Sequence, residues 1–263
     1  MTLQSNTRLL VVAEQGIGDT FQFARYGALL KRVLGPESTV CLFCSDALAD
    51  ILRLWPGWDA IYSAADKVLP DFDVQIAMMS IPLALMTGTT EDFITGPVRP
   101  TLDPGKWPDV RLRVGMCWRG NPAHPNDRNR SVPEALIWPA SQRWCKYAQL
   151  WSFQFNTERP LDCLPACMDD WVSTAASLAH MDVVVTVDTA IAHLAGSLGV
   201  ETWLLLSPMC DWRWGVVGDT SKWYPSMRLF RATKLAQWDD VLDQIEKELQ
   251  CLQRNTKNSF ARQ

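Results

Sequence analysis

The sequence is short of positive charge. Lys and Arg total 25 against 29 Asp and Glu, a net charge of −4. Non-specific nucleic-acid binding needs a broad basic field, and adhesion to anionic lipid needs a polybasic surface, so neither partner is expected. Long apolar runs are also missing. The longest, such as residues 182–187 and 202–206, are strand-sized and far short of the roughly 20 residues of a membrane helix. No integral membrane segment is expected, although peripheral contact with a membrane stays open. Residues 1–7 are polar, without the apolar stretch and small-residue cleavage site of a signal peptide, so a cytoplasmic location is expected. Metal-ligand spacing is absent as well. Cys41 and Cys44 form a CxxC, but the next close pair, Cys163 and Cys167, is distant and differently spaced, which argues against zinc and for reduced, mostly buried thiols.

What is present is an ordinary globular balance, 48% hydrophobic and 21% charged, which excludes disorder and coiled coil. Short β-branched runs alternate with amphipathic stretches. The pattern predicts strands over 8–13, 39–44, 60–63, 73–78, 113–118, 151–155, 183–187 and 202–206. It predicts helices over 20–33, 47–55, 170–180, 189–198 and 239–252. Parallel neighbours need a crossover, usually helical, so this alternation predicts parallel βα units. Residues 134–169 look compressed and irregular. Four prolines between Gly96 and Pro108 resist both helix and central strand, marking a connector. The expected organisation is an N-terminal Rossmann-like half over 1–106 and a C-terminal one over 107–263. Ligands of open α/β sheets bind beyond the carboxyl ends of the strands, which directs attention to four strand-end segments.

The first is Glu14-Gln15-Gly16-Ile17-Gly18-Asp19-Thr20. Gly16 and Gly18 allow a sharp turn and close approach to bare backbone. Asp19 is either a helix cap or a general base on a hydroxyl. Phe21 stands where a dinucleotide fingerprint needs its third glycine, which excludes that reading. The second, residues 118–131, gathers Trp118, Asn121, His124 and three arginines, Arg119, Arg128 and Arg130; guanidinium forks match phosphate oxygens, unless the loop is merely solvated. The third is Asp188-Thr189-Ala190-Ile191-Ala192-His193, where a strand passes into a helix whose N–H groups and dipole suit a diphosphate. His193 lies on the face of Thr189, one turn on, and either reaches a ligand oxygen or is satisfied within the core. The fourth, residues 207–226, carries Asp211, Trp212, Arg213, Trp214, Trp223 and Tyr224, while eleven of thirteen tryptophans lie from residue 107 onward. Such rings suit stacking on a sugar or base, or simply packing.

Taken in order, EQGIGDTFQFARY (14–26), GMCWRGNPAHPNDRNRS (115–131), VVTVDTAIAHLAGSLG (184–199) and DWRWGVVGDTSKWYPSMRLFR (211–231) resemble the heptosyltransferase-like glycosyltransferases of family 9. The form they resemble is the one found C-terminal to bacterial tetratricopeptide repeats; no repeat near 34 residues occurs here. The resemblance implies an α/β, GT-B-like fold with two Rossmann-like domains facing across a cleft. It implies an inverting, metal-independent transferase moving a sugar, heptose in the best-known members, from a nucleoside-diphosphate donor to a hydroxyl of a cell-surface glycan or lipopolysaccharide core. The donor, ADP-linked by resemblance, is a substrate, and no cofactor is implied. By the same resemblance Asp19 matches the base, and Arg130 stands near the cation that steadies the departing diphosphate. Asp188, Thr189, Ala190 and His193 match donor-site positions. Gly16, Gly18, Trp118, Asn121, Asp211 and Trp212 are candidate cleft-lining residues. Ala190 stands where lipopolysaccharide heptosyltransferases commonly have glycine, and Arg130 where they have lysine, which leaves the donor's sugar and base open. The contrasting reading is a binding domain that keeps the fold without turnover.

Overall fold

The computed structural model describes residues 6–85, 112–155 and 163–260, with the side chains of 255–260 excluded. The predicted connector and the domain boundary at 106/107 lie outside the described residues.

Four parallel strands, β1 (Arg8–Val12), β2 (Thr39–Cys44), β3 (Ala60–Ser63) and β4 (Val74–Ala77), form one sheet in the order β3-β2-β1-β4. Six more, β5 (Arg113–Cys117), β6 (Gln149–Ser152), β7 (Cys163–Pro165), β8 (Val183–Val187), β9 (Thr202–Leu206) and β10 (Met227–Arg231), form a second parallel sheet in the order β10-β9-β8-β5-β6-β7. In each, the chain builds outward from the first strand of that half, then crosses over to build on its other side. The strand order reverses between β1 and β4 and between β5 and β8. A crevice opens beyond the carboxyl ends of strands at such points. All five residues of β8 and of β9 are buried, as expected for strands covered on both faces.

Helices α1 (Ile17–Phe23), α2 (Tyr26–Leu34) and α3 (Asp46–Arg53) belong to the first half, as does the short α4 (Ile81–Ala84). The second half has α5 (Asp127–Arg130), α6 (Glu134–Trp144), α7 (Trp171–Ala179), α8 (Ala190–Leu198) and α9 (Asp239–Phe260). The single helix expected over 20–33 is divided. Arg25 turns its Nε back to the Gln22 carbonyl at 2.9 Å, and Trp58 presses on Gly27, where a Cβ would lie 2.6 Å from the indole. The irregular stretch after residue 134 contains α6, which carries an internal Pro139 and is tied to α9 by Arg143 with Asp243 and Glu246. β6 lies two residues earlier than expected at its start. β7 and β10 are strands that the pattern did not mark, because β7 is three residues long and β10 follows a loop rather than a helix.

The halves are not separate cores. One apolar cluster runs from Leu9, Phe21 and Ile51 through Phe153, Leu178, Ile191 and Leu194. It is carried across by α1 and α3, which pack on α8 and α7. Phe21 stacks on Trp55 at 5.9 Å and meets Trp171 edge-on at 5.1 Å, one ring from each half. A second cluster lies between the larger sheet and α6 and α9, and a third beneath residues 207–226. Among the described residues no helix is long and apolar enough to cross a membrane.

Phe21→Ala removes a fully buried ring at this junction and is expected to cost about 3–5 kcal/mol. In a urea titration followed by circular dichroism the midpoint falls and unfolding stays a single transition. Two separated transitions in the wild-type protein would contradict a shared core.

Candidate functional site

The four strand-end segments meet where α1 crosses the first turn of α8. Gly18 makes this possible: a Cβ there would lie 2.9 Å from His193 Cδ2 and 3.6 Å from Ala190 Cα. Any side chain would collide with the buried imidazole. Gly16 is the N-cap of α1, and Asp19, at its third position, accepts the Gly16 N–H at 3.2 Å through Oδ2. Asp19 therefore does cap its helix, and its other oxygen is left for a partner across the junction. At the end of β1, Glu14 accepts the N–H of Met78 at 2.9 Å and of Met79 at 3.4 Å, fixing the turn against the end of β4.

Across the junction, the N-cap of α8 is Thr189, one residue later than expected, and it makes no side-chain cap bond. The N–H groups of Ala190, Ile191 and Ala192 have no intrahelical acceptor at this position in a helix. The Thr189 hydroxyl instead lies 3.3 Å from that of Thr186 and 3.8 Å from the Cys117 sulfur. Arg130 reaches over from the β5 loop, donating from Nη1 to the Asp188 carbonyl at 2.8 Å and from Nε to Asp127 at 3.2 Å. It lies over Gly120, where a Cβ would be 2.3 Å from the guanidinium and would displace it. Arg130 thus bridges the carboxyl ends of β5 and β8, where the strand order reverses.

His193 is 3% exposed. Its ring stacks on Trp214 at 5.3 Å, its Nδ1 and the Tyr224 hydroxyl are 2.8 Å apart, and its Nε2 is 3.8 Å from Asp188 Oδ1. Burial, with the charges of Arg213, Arg25 and Arg130, holds its pKa well below 6.5, so it is neutral. Asp188 is shifted upward: burial raises its pKa against the opposing pull of Trp214, Arg213 and Arg130.

Residues 207–226 divide by function. Trp214, Trp223 and Tyr224 are buried and pack on α8, β9 and β10, whereas Trp212 is 63% exposed. Arg213, whose side chain is 9% exposed, donates from Nη2 to Asp19 at 2.5 Å and pairs through Nη1 with Asp211 at 3.2 Å. Arg25 of the first half donates to the Trp223 carbonyl at 2.7 Å and lies 4.7 Å over Tyr224. The loop is therefore clasped to the first half at two points.

Of the predicted residues, Gly16, Gly18, Asp19, Arg130, Asp188, Thr189, Ala190, His193 and Asp211 come together here. Trp118 is 2% exposed and belongs to the core on the α6 and α9 side. Asn121 and His124 stay on the exposed loop. Beside that loop lies a separate hollow of about 290 Å³, lined by Arg119, Asp127, Arg128, Ser131, Val132, Pro133 and Glu134. The motif reading passed over Gln154, whose amide accepts the Trp118 and Arg119 N–H groups at 3.1 and 2.9 Å and donates to the Arg119 carbonyl at 3.1 Å. Arg25 was also passed over. Both act on backbone far away in sequence, which leaves no local pattern. Among the described residues no three His, Cys, Asp or Glu gather as a metal-holding group.

No family model and no curated protein matches the chain in sequence. Solved structures do match in fold. The Escherichia coli ADP-heptose lipopolysaccharide heptosyltransferase II superposes with a TM-score of 0.68 at 12% identity, over 95% of this chain and 99% of that one. A glycosyl transferase family 9 protein from Veillonella parvula gives 0.64 at 12% identity, over 88% and 87%. The E. coli heptosyltransferase WaaC solved with ADP gives 0.63 at 12% identity, over 92% and 99%. The chain has the GT-B-like fold of these heptosyltransferases, as the sequence resemblance implies.

The buried neutral His193 makes stability depend on pH. In the unfolded chain its pKa is 6.5 and in the folded one well below, so below pH 6.5 the unfolded state binds the extra proton and folding weakens as pH falls. Between pH 7.5 and 5.5 this is on the order of 1 kcal/mol. Urea midpoints of wild type and His193→Asn, compared across that range, are expected to show the wild type losing this much more than the variant. Parallel losses would contradict the assignment.

Proposed function

We propose that this protein is an inverting glycosyltransferase that moves a sugar from an ADP-linked donor to a hydroxyl of a glycan acceptor. Heptose, the sugar named for the fold's neighbours, is the proposed donor sugar, and a cell-surface glycan or lipopolysaccharide core the proposed acceptor. The observation that carries this reading is the packing of Gly18, next to Asp19, on the first turn of α8, whose start is uncapped and bridged by Arg130.

The chemistry follows from that juxtaposition. The diphosphate lies at the first turn of α8, where backbone N–H groups, the helix dipole and Arg130 offset its charge. Asp19 takes the proton of the acceptor hydroxyl. The acceptor oxygen bonds to the anomeric carbon as the bond from that carbon to the phosphate oxygen breaks, and the nucleoside diphosphate departs. With no enzyme nucleophile in the path, one displacement inverts the anomeric centre. Thr189 and Ala190 present backbone to the phosphates. Asp188 faces the donor from the strand end, and the buried His193, with Nε2 3.8 Å from the Asp188 carboxylate, positions that side chain. The exposed Trp212 offers a flat face for a sugar ring on the acceptor side. No step is assigned to a metal ion.

Asp19→Asn is expected to lower transfer from ADP-heptose by about 10²–10⁴-fold while ADP still binds, measured by ADP release and by calorimetry. Wild-type rates with only a lowered Tm would leave Asp19 as a cap alone. Arg130→Ala, losing a charged hydrogen-bond donor, is expected to weaken ADP roughly tenfold to a hundredfold. Turnover that survives extensive chelation accords with the metal-independent mechanism, and loss restored by one added metal would overturn it.

A further inference from the structure

We propose that Arg213 is a second ligand of the donor diphosphate and that, before the donor arrives, it masks Asp19. This rests on the transferase reading above and adds a residue and an order of events to it.

Arg213 is buried with part of its hydrogen-bonding capacity unused. Its side chain is 9% exposed, yet its Nε has no hydrogen-bond partner among the described residues. Its remaining contacts are Asp19 at 2.5 Å, Asp211 at 3.2 Å, and the face of Trp212 at 5.4 Å. Its backbone is fixed independently, the N–H donating to Asp211 at 3.1 Å and the carbonyl accepting Trp223 Nε1 at 3.1 Å. A change of partner by the guanidinium leaves this anchor intact. It is also near the tip of α8: its partner Asp19 follows Gly18, which packs on His193, and the next residue, Trp214, stacks on the His193 ring at 5.3 Å.

The charges around the tip call for such a residue. Asp19, Asp127, Asp188 and Asp211 face Arg130 and Arg213, and Arg130 is already committed to Asp127 and the Asp188 carbonyl. A diphosphate entering this region adds negative charge. It needs a guanidinium that can be drawn from a carboxylate, and the Asp19–Arg213 pair offers one across the junction. A general base cannot accept a hydroxyl proton well while a guanidinium occupies one of its oxygens. Diphosphate that draws Arg213 away stabilises the leaving group and frees the base in one move. The base is then exposed only when a donor is present, and acceptor binding follows donor binding.

The test is a double-mutant cycle on ADP affinity by calorimetry, using Asp19→Asn, Arg213→Gln and the double variant. Thermal melts check folding, and Arg213→Lys serves as a second, charge-preserving variant. Asp19→Asn is expected to tighten ADP about fivefold by releasing Arg213. Arg213→Gln is expected to weaken it roughly tenfold, with Arg213→Lys between it and wild type. The double variant should match Arg213→Gln, the tightening having vanished. Tightening that persists when Arg213→Gln is already in place would mean plain charge repulsion by Asp19 and would overturn the proposal. Wild-type affinity in both Arg213 variants would overturn it too. A wild-type protein that binds none of ADP, UDP and GDP ends the transferase reading and this inference with it; ADP binding with no coupling ends this inference alone.

Discussion

Everything at the candidate site depends on how closely two helices from different sheets approach. Gly18 and His193 touch so tightly that a single methyl at position 18 would collide with the imidazole. That contact sets a carboxylate from one half against a helix start from the other. It also explains why His193 is buried and neutral: the imidazole is enclosed by α1 on one side and by Trp214 and Tyr224 on others. Interiors packed at crystal-like density do not deform continuously, so this joint transmits its geometry to Asp19 and Asp188 with little slack.

Among the described residues the polar bonds across the joint are concentrated at two arginines. Arg25 and Arg213 each span from one half to the other, and both connect the first half with residues 207–226. The apolar surface beneath them is continuous, one cluster extending through both halves. This division assigns holding to the rings and adjusting to the guanidiniums. The rearrangement proposed for Arg213 involves none of the rings in these clusters.

Much of this was legible in the sequence. Parallel βα alternation, the strand-end position of Asp19 and the strand-to-helix passage at Asp188 follow from periodicity and glycine placement, and the fold of the solved neighbours agrees with them. Local patterns work because they report local hydrogen bonding. They fail where the deciding contact is distant. The division of the helix after Phe23 is one tightened turn, the Gly27 N–H reaching the Ala24 carbonyl at 3.2 Å, and Trp58, which packs on Gly27, is more than thirty residues away in the chain. Gln154 acts on the backbone of the preceding strand's loop. The aromatic loop could not be sorted into Trp212 outside and Trp214, Trp223 and Tyr224 inside, since its spacing has no helical or strand period. Trp118 reads as a cleft residue only until β5 places its ring in the core beside α6 and α9. The pairing of Asp19 with Arg213 spans 194 positions and has no sequence signature at all.

The central claim is that the start of α8 holds a diphosphate beside Asp19. A crystal structure of the protein with ADP tests it most directly. The account predicts phosphate oxygens on the backbone N–H groups of Ala190 and Ile191, with the guanidinium of Arg130 alongside and the terminal phosphate turned toward α1. Phosphates found instead in the hollow between Arg119 and Arg128, with the first turn of α8 still bare, would contradict it.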